Sequence, residues 1–197
     1  GSEMCIRDSY TAEQVIVMVT NCLTEDPEVS VIADGRLVAG GETMTAHVGQ
    51  RRWKVGAGGF WQVHPGAAEA LADAVVGGLE PHQGDEALDL YCGVGLFAGL
   101  LADRGVRVRG VEVSRQAVAL ARRNVPGGRF IAGRVERVLP RMSAKANIVV
   151  LDPPRKGAGK AVVQAVARTS PRVIAHVACD PAALARDLHL FLSLIHI

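Results

Sequence analysis

The feature that most constrains the fold is the stretch EALDLYCGVGLF at positions 86–97. An apolar run ends around the acidic Asp89 and is followed by a turn containing Gly93 and Gly95, then by a helix-like segment. This order is typical of a buried parallel strand that leads into a helix beside a ligand. The two glycines leave room for a ligand to approach the main chain. Together with Ala98 they also match the loose G-x-G-x-x-G/A pattern of dinucleotide-binding proteins, so the loop alone does not identify the cofactor.

Alternating strand and helix patterns follow from this stretch to the end of the chain. A helix is predicted over 67–79, ahead of the alternation. The predicted strands are 86–91, 106–112, 129–132, 147–151 and 172–178, and the predicted helices are 97–104, 115–124, 135–141, 159–168 and 181–191. The alternation predicts a doubly wound α/β fold with a mostly parallel sheet, whose ligands bind outside the carboxyl ends of the strands.

The front of the chain has a different pattern. Short β-branched runs at 14–22, 28–33, 42–48 and 51–55 predict a small antiparallel sheet, with a hairpin turn at Asp34-Gly35. We therefore expect a small β subdomain over 10–59 and the α/β domain over 60–192. The ends, 1–9 and 193–197, match neither pattern and resemble sequence-assembly scars, so we expect the natural protein to be longer at both ends.

Composition excludes several classes of protein. A hydrophobic content of 49% with 21% charged residues is ordinary for a globular domain, and no apolar run reaches the about 20 residues of a membrane span. The net charge of +2 does not by itself indicate a nucleic-acid binder. The four cysteines form no C-x-x-C pair and the six histidines no H-x-x-x-H spacing. We therefore expect no metal, no disulfide framework and a reducing, cytoplasmic location.

Two acidic residues follow predicted strands. Glu112 lies roughly 20 residues beyond the glycine loop, where nucleotide-binding folds place a ribose-binding acid, although a solvated strand-end acid is the alternative. Asp152 opens the run DPPRKG, whose two prolines predict a stiff rim for a flat substrate. An amino-group methylase would have an aromatic residue where Arg155 stands. Arg155 and Lys156 lie where the phosphate backbone of a nucleic acid would pass.

Cys179 follows the next predicted strand after Asp152. A lone cysteine at a strand end is more often an inert part of the core. Here it would share the rim with Asp152 and precede a helix N-terminus, which stabilises a thiolate. We therefore expect Cys179 to be a nucleophile.

In this order and spacing, the motifs resemble one family, the S-adenosylmethionine-dependent RNA uracil-C5 methyltransferases, which make 5-methyluridine in tRNA and rRNA. The motifs are FWQVHPG (60–66), DLYCGVG (89–95), the strand-end Glu112, LDPPRKG (151–157) and ACDPAALARD (178–187). The resemblance covers about 28–191. It implies a class I Rossmann-like methyltransferase fold, S-adenosylmethionine as the cofactor bound by 60–192, and RNA (rRNA or tRNA) as the partner. We expect a monomer with no membrane association.

The resemblance also implies a role for each matching residue. Cys179 would be the catalytic nucleophile, adding to C6 of uracil so that C5 can attack the methyl group. Arg155 and Lys156 would contact RNA. The cofactor would be bound by Gln62, Tyr91, Gly93, Gly95, Glu112 and Asp152, with Glu112 on the ribose hydroxyls, Tyr91 and the glycine loop at the methionine end, and Asp152 next to the methyl donor.

Two alternatives stay open. The general base of the family, a glutamate in a His-containing motif, would lie downstream of the last residue, and the N-terminal oligonucleotide-binding barrel of many members is absent. The chain could therefore be a catalytically incomplete fragment that binds S-adenosylmethionine or RNA. A remote alternative is an NAD-dependent oxidoreductase, through the glycine loop, but that reading requires neither the Asp152 motif nor Cys179.

Overall fold

The computed structural model of the chain describes residues 31–33, 36–62, 64, 66–142 and 145–194. Its N-terminal part consists of two antiparallel hairpins, as the turn signals predict. The first joins β1 (Val31–Ala33) to β2 (Arg36–Ala39), and the second joins β3 (Thr43–Val48) to β4 (Arg51–Gly56). Within the described residues they form two two-stranded antiparallel sheets, so the small antiparallel β part that we expected ahead of the α/β domain is present. The strand predicted at 14–22 lies outside the described residues.

A five-stranded parallel sheet forms the centre of the molecule. Its strands are β5 (Glu86–Leu90), β6 (Arg107–Glu112), β7 (Arg129–Ala132), β8 (Ile148–Leu151) and β9 (Val173–His176). They lie in the order β7-β6-β5-β8-β9, so β5 is central and the chain winds outward from it in both directions. The predicted α/β fold is confirmed, although β9 is shorter than the predicted 172–178.

Helices connect these strands. They are α1 (Ala67–Leu79), α2 (Leu96–Ala102), α3 (Arg115–Asn124), α4 (Val135–Val138), α5 (Lys160–Ala167) and α6 (Pro181–Leu194), with one 3₁₀ turn at Leu139–Arg141. The last helix continues past its predicted end at 191. None of the described helices has the length and apolar character needed to cross a membrane.

Helices cover both faces of the sheet at its central strands, β5 and β8. On one face, α1, α2 and α3 contribute Leu79, Phe97 and Val118 to an apolar cluster. On the other face, α5 and α6 contribute Val163 and Phe191 to a second cluster. Strand β8 is buried at every residue and has the near-continuous apolar sequence of a strand covered on both faces, whereas the outer strands β7 and β9 are more exposed.

The β3–β4 hairpin packs directly on this helical layer. Trp53 and Val55 of β4 are fully buried and contact Ala72 of α1 and Leu120 of α3. The same cluster includes Val94 of the glycine loop. Because this face of the hairpin is used against the helices and the loop, β3–β4 belongs to the packed core that surrounds the candidate site.

Candidate active site at the carboxyl edge of the sheet

Main-chain hydrogen bonds join the strand ends at the carboxyl edge of the sheet. The amides of Tyr91 and Cys92, after β5, donate to the carbonyl of Val111 in β6 at 2.8 and 3.2 Å. On the other side of β5, the amide of Asp152 donates to the carbonyl of Leu90 at 3.2 Å. The loop after β5 and the residue after β8 therefore flank the switch point between the two directions of winding, which is where open α/β sheets bind ligands.

Strand β9 adds Cys179 to this edge. The amide of Val177 donates to the carbonyl of Leu151 at 2.7 Å and so continues the β8–β9 pairing to the point where both strands end. Cys179 follows two residues later, is exposed and has a free thiol. Asp180 then caps α6, because its Oδ1 accepts a hydrogen bond at 2.7 Å from an amide of the first turn. Cys179 and Asp152 thus follow two adjacent strands, as the sequence predicted.

The glycine loop leaves open space beside its main chain. Gly93 and Gly95 both have left-handed backbones, with φ of +52° and +88°. A Cβ atom at Gly95 would lie 3.2 Å from the side chain of Val125, so this glycine is required by packing as well as by φ. A Cβ atom at Gly93 would meet no described atom within 4 Å. A ligand can therefore lie against the backbone at Gly93, which fits the expected cofactor.

Glu112 connects this loop to the end of β6. Its Oε2 accepts a hydrogen bond from the amide of Gly93 at 3.2 Å, and its Oε1 accepts one from the amide of Ser114 at 2.8 Å. Each carboxylate oxygen retains acceptor capacity for a ligand hydroxyl. The next residue, Val113, is 65% exposed and offers an apolar surface beside the carboxylate. Val113 was not singled out from the sequence, where its only signal is its position directly after a strand-end acid.

Asp89 lies beneath the glycine loop and is fully buried. Its Oδ2 accepts a hydrogen bond from the amide of Ala98 at 2.9 Å, which anchors the first turn of α2. Its Oδ1 has no partner among the described residues. Burial raises the pKa of Asp89 to about 7, with the hydrogen bond from Ala98 opposing the shift and the charges of Asp152 and Glu112 adding to it.

Tyr91 and Asp152 are both partly buried at the carboxyl edge of the sheet. The backbone of Tyr91 is left-handed, with φ of +63°, and its ring packs on the apolar cluster under α5 and α6. Burial raises the pKa of Tyr91 to about 12, so its hydroxyl stays neutral. Burial also raises the pKa of Asp152 to about 6, although the interaction with His176 opposes this shift. At neutral pH most of the Asp152 carboxyl is still ionised.

Gln62 is half-buried in the segment between β4 and α1. Its neighbour Trp61 lies with its ring 6.4 Å from the ring of Trp53, at a tilt of 40°. The indole Nε1 of Trp53 in turn donates to the carbonyl of Gly95 at 3.3 Å. This chain of contacts attaches the segment that carries Gln62 to the glycine loop.

The basic residues divide into two kinds. Arg155 and Lys156, the residues expected to contact RNA, are exposed in the turn after β8. Arg51, by contrast, forms an ion pair with Asp103 and donates to the carbonyl of Asn124 at 2.6 Å. Its role is therefore to hold β4 on the helices.

A buried polar pair behind the edge was also missed. Asp187 in α6 is 3% exposed, and its carboxylate contacts His176 of β9. A signal for it was present in the sequence, because Asp187 lies four residues after Ala183 and four before Phe191, both buried. An acid on the apolar face of a helix requires a polar partner inside the protein.

Comparisons with known proteins show which family the chain is similar to. The family model described as the methyltransferase small domain matches residues 68–176, more than half of the chain. A protein of Streptomyces avermitilis named an uncharacterized RNA methyltransferase is 55% identical over 148 residues, which are 72% of this chain and 34% of the relative. Another of that name from Clostridium tetani is 30% identical over 184 residues, 89% of this chain and 40% of the relative.

A solved structure shares the fold across most of the chain. The tRNA (uracil-54, C5)-methyltransferase of Pyrococcus abyssi, in complex with S-adenosyl-L-homocysteine, matches with a TM-score of 0.69 and 29% identity over 82% of this chain and 41% of that one. The chain spans about a third of the length of the Streptomyces relative. These matches confirm the α/β class and agree with S-adenosylmethionine as the cofactor. The chain belongs to the methyltransferase small domain family.

Proposed function

We propose that this chain is the cofactor-binding and nucleophile-bearing part of an S-adenosylmethionine-dependent RNA methyltransferase that methylates uridine at C5. The observation that carries the proposal is that the exposed Cys179 thiol and Asp152 follow the adjacent strands β9 and β8, beside the glycine loop. The relatives named RNA methyltransferases support the RNA substrate, and the 29% identical tRNA uracil-C5 enzyme supports the uracil. The RNA would be rRNA or tRNA.

The residues around the glycine loop would hold the cofactor. Glu112 would accept hydrogen bonds from the ribose hydroxyls, and the exposed Val113 would offer its apolar surface to the adenine. Gln62, Tyr91 and Asp152 would face the methionine end, with the backbone at Gly93 and Gly95 beneath it. When bound, S-adenosylmethionine supplies an electrophilic methyl group. The half-buried carboxylate of Asp152 would keep a negative charge close to it.

Cys179 would activate the uracil ring. C5 of uracil is a weak nucleophile, but addition of the Sγ thiolate at C6 forms an S–C6 bond and moves the C5–C6 π electrons toward C5 and O4. C5 would then take the methyl group, and the electron pair of the broken S–CH3 bond would stay on the cofactor sulfur, leaving S-adenosylhomocysteine. Loss of the C5 proton to a base re-forms the double bond, the S–C6 bond breaks, and the electron pair returns to the thiolate. Cys179 is therefore regenerated at the end of the cycle.

The substrate would reach the thiol as a flipped-out nucleotide. A uridine stacked in a helix does not expose C6, so enzymes of this kind extrude the base. Arg155 and Lys156, exposed in the turn that begins after Asp152, would contact the phosphates that flank the extruded nucleotide. Arg155 and Lys156 follow Asp152 by three and four residues, so one turn would carry both the cofactor contact and the RNA contacts.

A covalent trap tests the proposal. The chain is incubated with S-adenosylmethionine and RNA that contains 5-fluorouridine, and the products are separated on a denaturing gel. Fluorine cannot leave C5 as a proton would, so the adduct is expected to accumulate. Cys179→Ala is expected to abolish the retarded band while S-adenosylhomocysteine binding, measured by calorimetry, is retained.

The other outcomes discriminate between the alternatives. Cofactor binding without any adduct would identify a binding module and contradict the nucleophile. An adduct that survives Cys179→Ala would contradict the assignment of this thiol. Binding of NAD in place of S-adenosylhomocysteine would favour the oxidoreductase. Glu112→Gln is expected to weaken S-adenosylhomocysteine binding by about ten-fold or more, since it removes a charged acceptor.

A further inference from the structure

A buried histidine–aspartate pair lies directly behind the proposed active site, and the proposed mechanism does not use it. Nε2 of His176, the last residue of β9, lies 3.1 Å from Oδ2 of Asp187 in α6. The two side chains are only 6% and 4% exposed. Burying a carboxylate is costly unless hydrogen bonds replace its lost hydration. The surroundings of Asp187 show where those hydrogen bonds come from.

The same carboxylate holds the loop that carries Asp152. Its Oδ2 accepts a hydrogen bond from the amide of Ala158 at 2.7 Å, and its Oδ1 accepts one from the amide of Gly159 at 3.0 Å. Burial acts to raise the pKa of Asp187, but the hydrogen bonds from Ala158, Gly159 and His176 outweigh it, so the pKa lies below its ordinary value. Asp187 is therefore a charged acceptor of three hydrogen bonds, which are stronger than those between neutral groups.

Gly157 shows how closely the loop packs on this carboxylate. A Cβ atom at Gly157 would lie 2.8 Å from Oδ2 of Asp187, closer than real Cβ contacts. The loop 152–159 thus has no room for a side chain at this point. The end of the loop, at 157–159, is therefore held against one carboxylate on α6.

The pair also lies close to the acidic residue of the site. The interaction with His176 opposes, but does not cancel, the rise in the pKa of Asp152 that burial causes. His176 is paired with Leu151 across β8 and β9 and precedes Cys179 by three residues. Asp187 is therefore bonded both to the loop after β8 and to the strand that leads to the nucleophile.

We propose that Asp187 is a positioning residue that sets the placement of Asp152 relative to Cys179. It does so by binding the loop 152–159 and His176 through a single carboxylate. It does not touch substrate in this arrangement. The inference deepens the proposed function and rests on it, because the alignment matters only if Cys179 attacks a ring next to the methyl donor. Small displacements of reacting groups reduce rates strongly.

The test compares Asp187→Asn with wild type and with Arg186→Gln, a matched control at an exposed neighbour on the same helix. Three quantities are measured: the S-adenosylhomocysteine dissociation constant, the single-turnover rate of adduct formation with 5-fluorouridine RNA, and amide hydrogen exchange at Ala158 and Gly159. Asp187→Asn replaces one carboxylate oxygen, which accepts a hydrogen bond, by an amide NH₂ group. Two hydrogen-bond donors then face each other. We expect the adduct rate to fall by about ten-fold or more. Cofactor affinity, to which Asp152 is only one of several contributors, is expected to fall by less than the adduct rate, and Arg186→Gln is expected to behave as wild type.

The outcomes separate this inference from the proposed function. An adduct rate within about two-fold of wild type would overturn the positioning role. A loss of hydrogen-exchange protection at Ala98 as well as at Ala158 and Gly159 would also overturn it, because Asp187 would then support the whole fold. If wild type itself forms no adduct, the proposed function fails. The hydrogen-exchange data then decide whether Asp187 holds the loop: loss of protection at Ala158 and Gly159 but not at Ala98 supports it, and unchanged protection contradicts it.

A milder variant covers the case in which Asp187→Asn does not fold. His176→Val keeps a strand-forming residue in β9 and removes one of the three hydrogen bonds to Asp187. Its adduct rate is expected to fall by about three-fold or more, with cofactor affinity retained. A folded His176→Val protein with wild-type adduct kinetics would overturn the proposal.

Discussion

Asn124 Nδ2 donates a hydrogen bond to the carbonyl oxygen of Val94 at 2.9 Å, and this bond ties the end of α3 to the glycine loop. The same amide group also donates to the carbonyl of Lys54 at 3.0 Å and accepts from its N–H at 2.8 Å. One side chain therefore joins the β3–β4 hairpin, α3 and the glycine loop. Asn124 lies 30 residues beyond Val94 and 70 residues beyond Lys54, so the loop is held by contacts between distant parts of the chain.

Replacing Asn124 by Asp is expected to weaken cofactor binding. The carboxylate keeps the acceptor for the Lys54 amide but faces two carbonyl oxygens with negative charge where Asn124 donates. We expect the S-adenosylhomocysteine dissociation constant to rise by about ten-fold and the free energy of unfolding to fall by about 2 kcal/mol. Calorimetry and urea denaturation measure these quantities. Arg123→Gln, at an exposed neighbour, is the control, and an unchanged dissociation constant for folded Asn124→Asp would contradict the role of this bond.

The thiols of Cys179 and Cys92 are expected to differ in reactivity. Cys179 is exposed, whereas burial raises the pKa of Cys92, and the charges of Asp89 and Glu112 add to that rise. Because the thiolate is the reactive form, iodoacetamide should alkylate Cys179 about 100-fold faster than Cys92 in the native protein. Peptide mass spectrometry over a time course measures both rates. Equal rates in the native protein would be incompatible with this structure, and equal rates in urea are the internal control.

Asp89 is expected to make stability depend on pH in the direction opposite to that of a salt-bridged carboxylate. Its pKa is about 7 in the folded protein and 3.8 for an unperturbed carboxyl. Between these values the folded state holds a proton that the unfolded chain has released, so stability falls as pH rises through that interval and is level above it. Asp89→Asn removes this pH dependence. The free energy of unfolding of the variant, relative to that of wild type, should therefore increase with pH by at most about 4 kcal/mol. Urea denaturation of both proteins from about pH 5 to about pH 8 measures this difference, and parallel pH dependences would contradict a raised pKa for Asp89.

Two glycine substitutions should change stability in opposite directions. A Cβ atom at Gly110 would lie 2.4 Å from the ring of Phe130 and 2.8 Å from Sγ of Cys92, so Gly110→Ala should destabilise by about 1–3 kcal/mol. A Cβ atom at Gly77 in α1 would meet no described atom within 4 Å, so Gly77→Ala should stabilise by about 0.5 kcal/mol through helix propensity. Thermal or urea denaturation compares both with wild type. Destabilisation by Gly77→Ala or tolerance of Gly110→Ala would contradict the packing described.

The positions of the strand ends could be predicted because they depend on local pattern. The apolar runs before Tyr91, Glu112, Asp152 and Cys179 mark buried strands, and parallel strands present their carboxyl ends at one edge. The convergence of these residues then follows from the βα alternation alone.

The contacts that hold the edge together could not be predicted in the same way, because they join distant parts of the chain. Arg51 appears in a basic run but is paired with groups on α2 and α3. Asn124 is the last residue of a helix, and nothing in the neighbouring sequence indicates its contacts with Lys54 and Val94. Asp187 was the exception, since its position on the apolar face of α6 signals a buried acid. Periodicity shows that such a residue faces inward, but the partner depends on tertiary packing.

Tyr91 shows how backbone strain and side-chain packing oppose each other at one residue. A non-glycine residue with φ of +63° stores backbone strain of the order of 1 kcal/mol or more, which glycine would relieve. Glycine would also remove the ring that packs on the apolar cluster under α5 and α6, a loss of about 2 kcal/mol or more. Variants ranked by melting temperature should therefore retain Tyr91, although its backbone conformation is one that favours glycine.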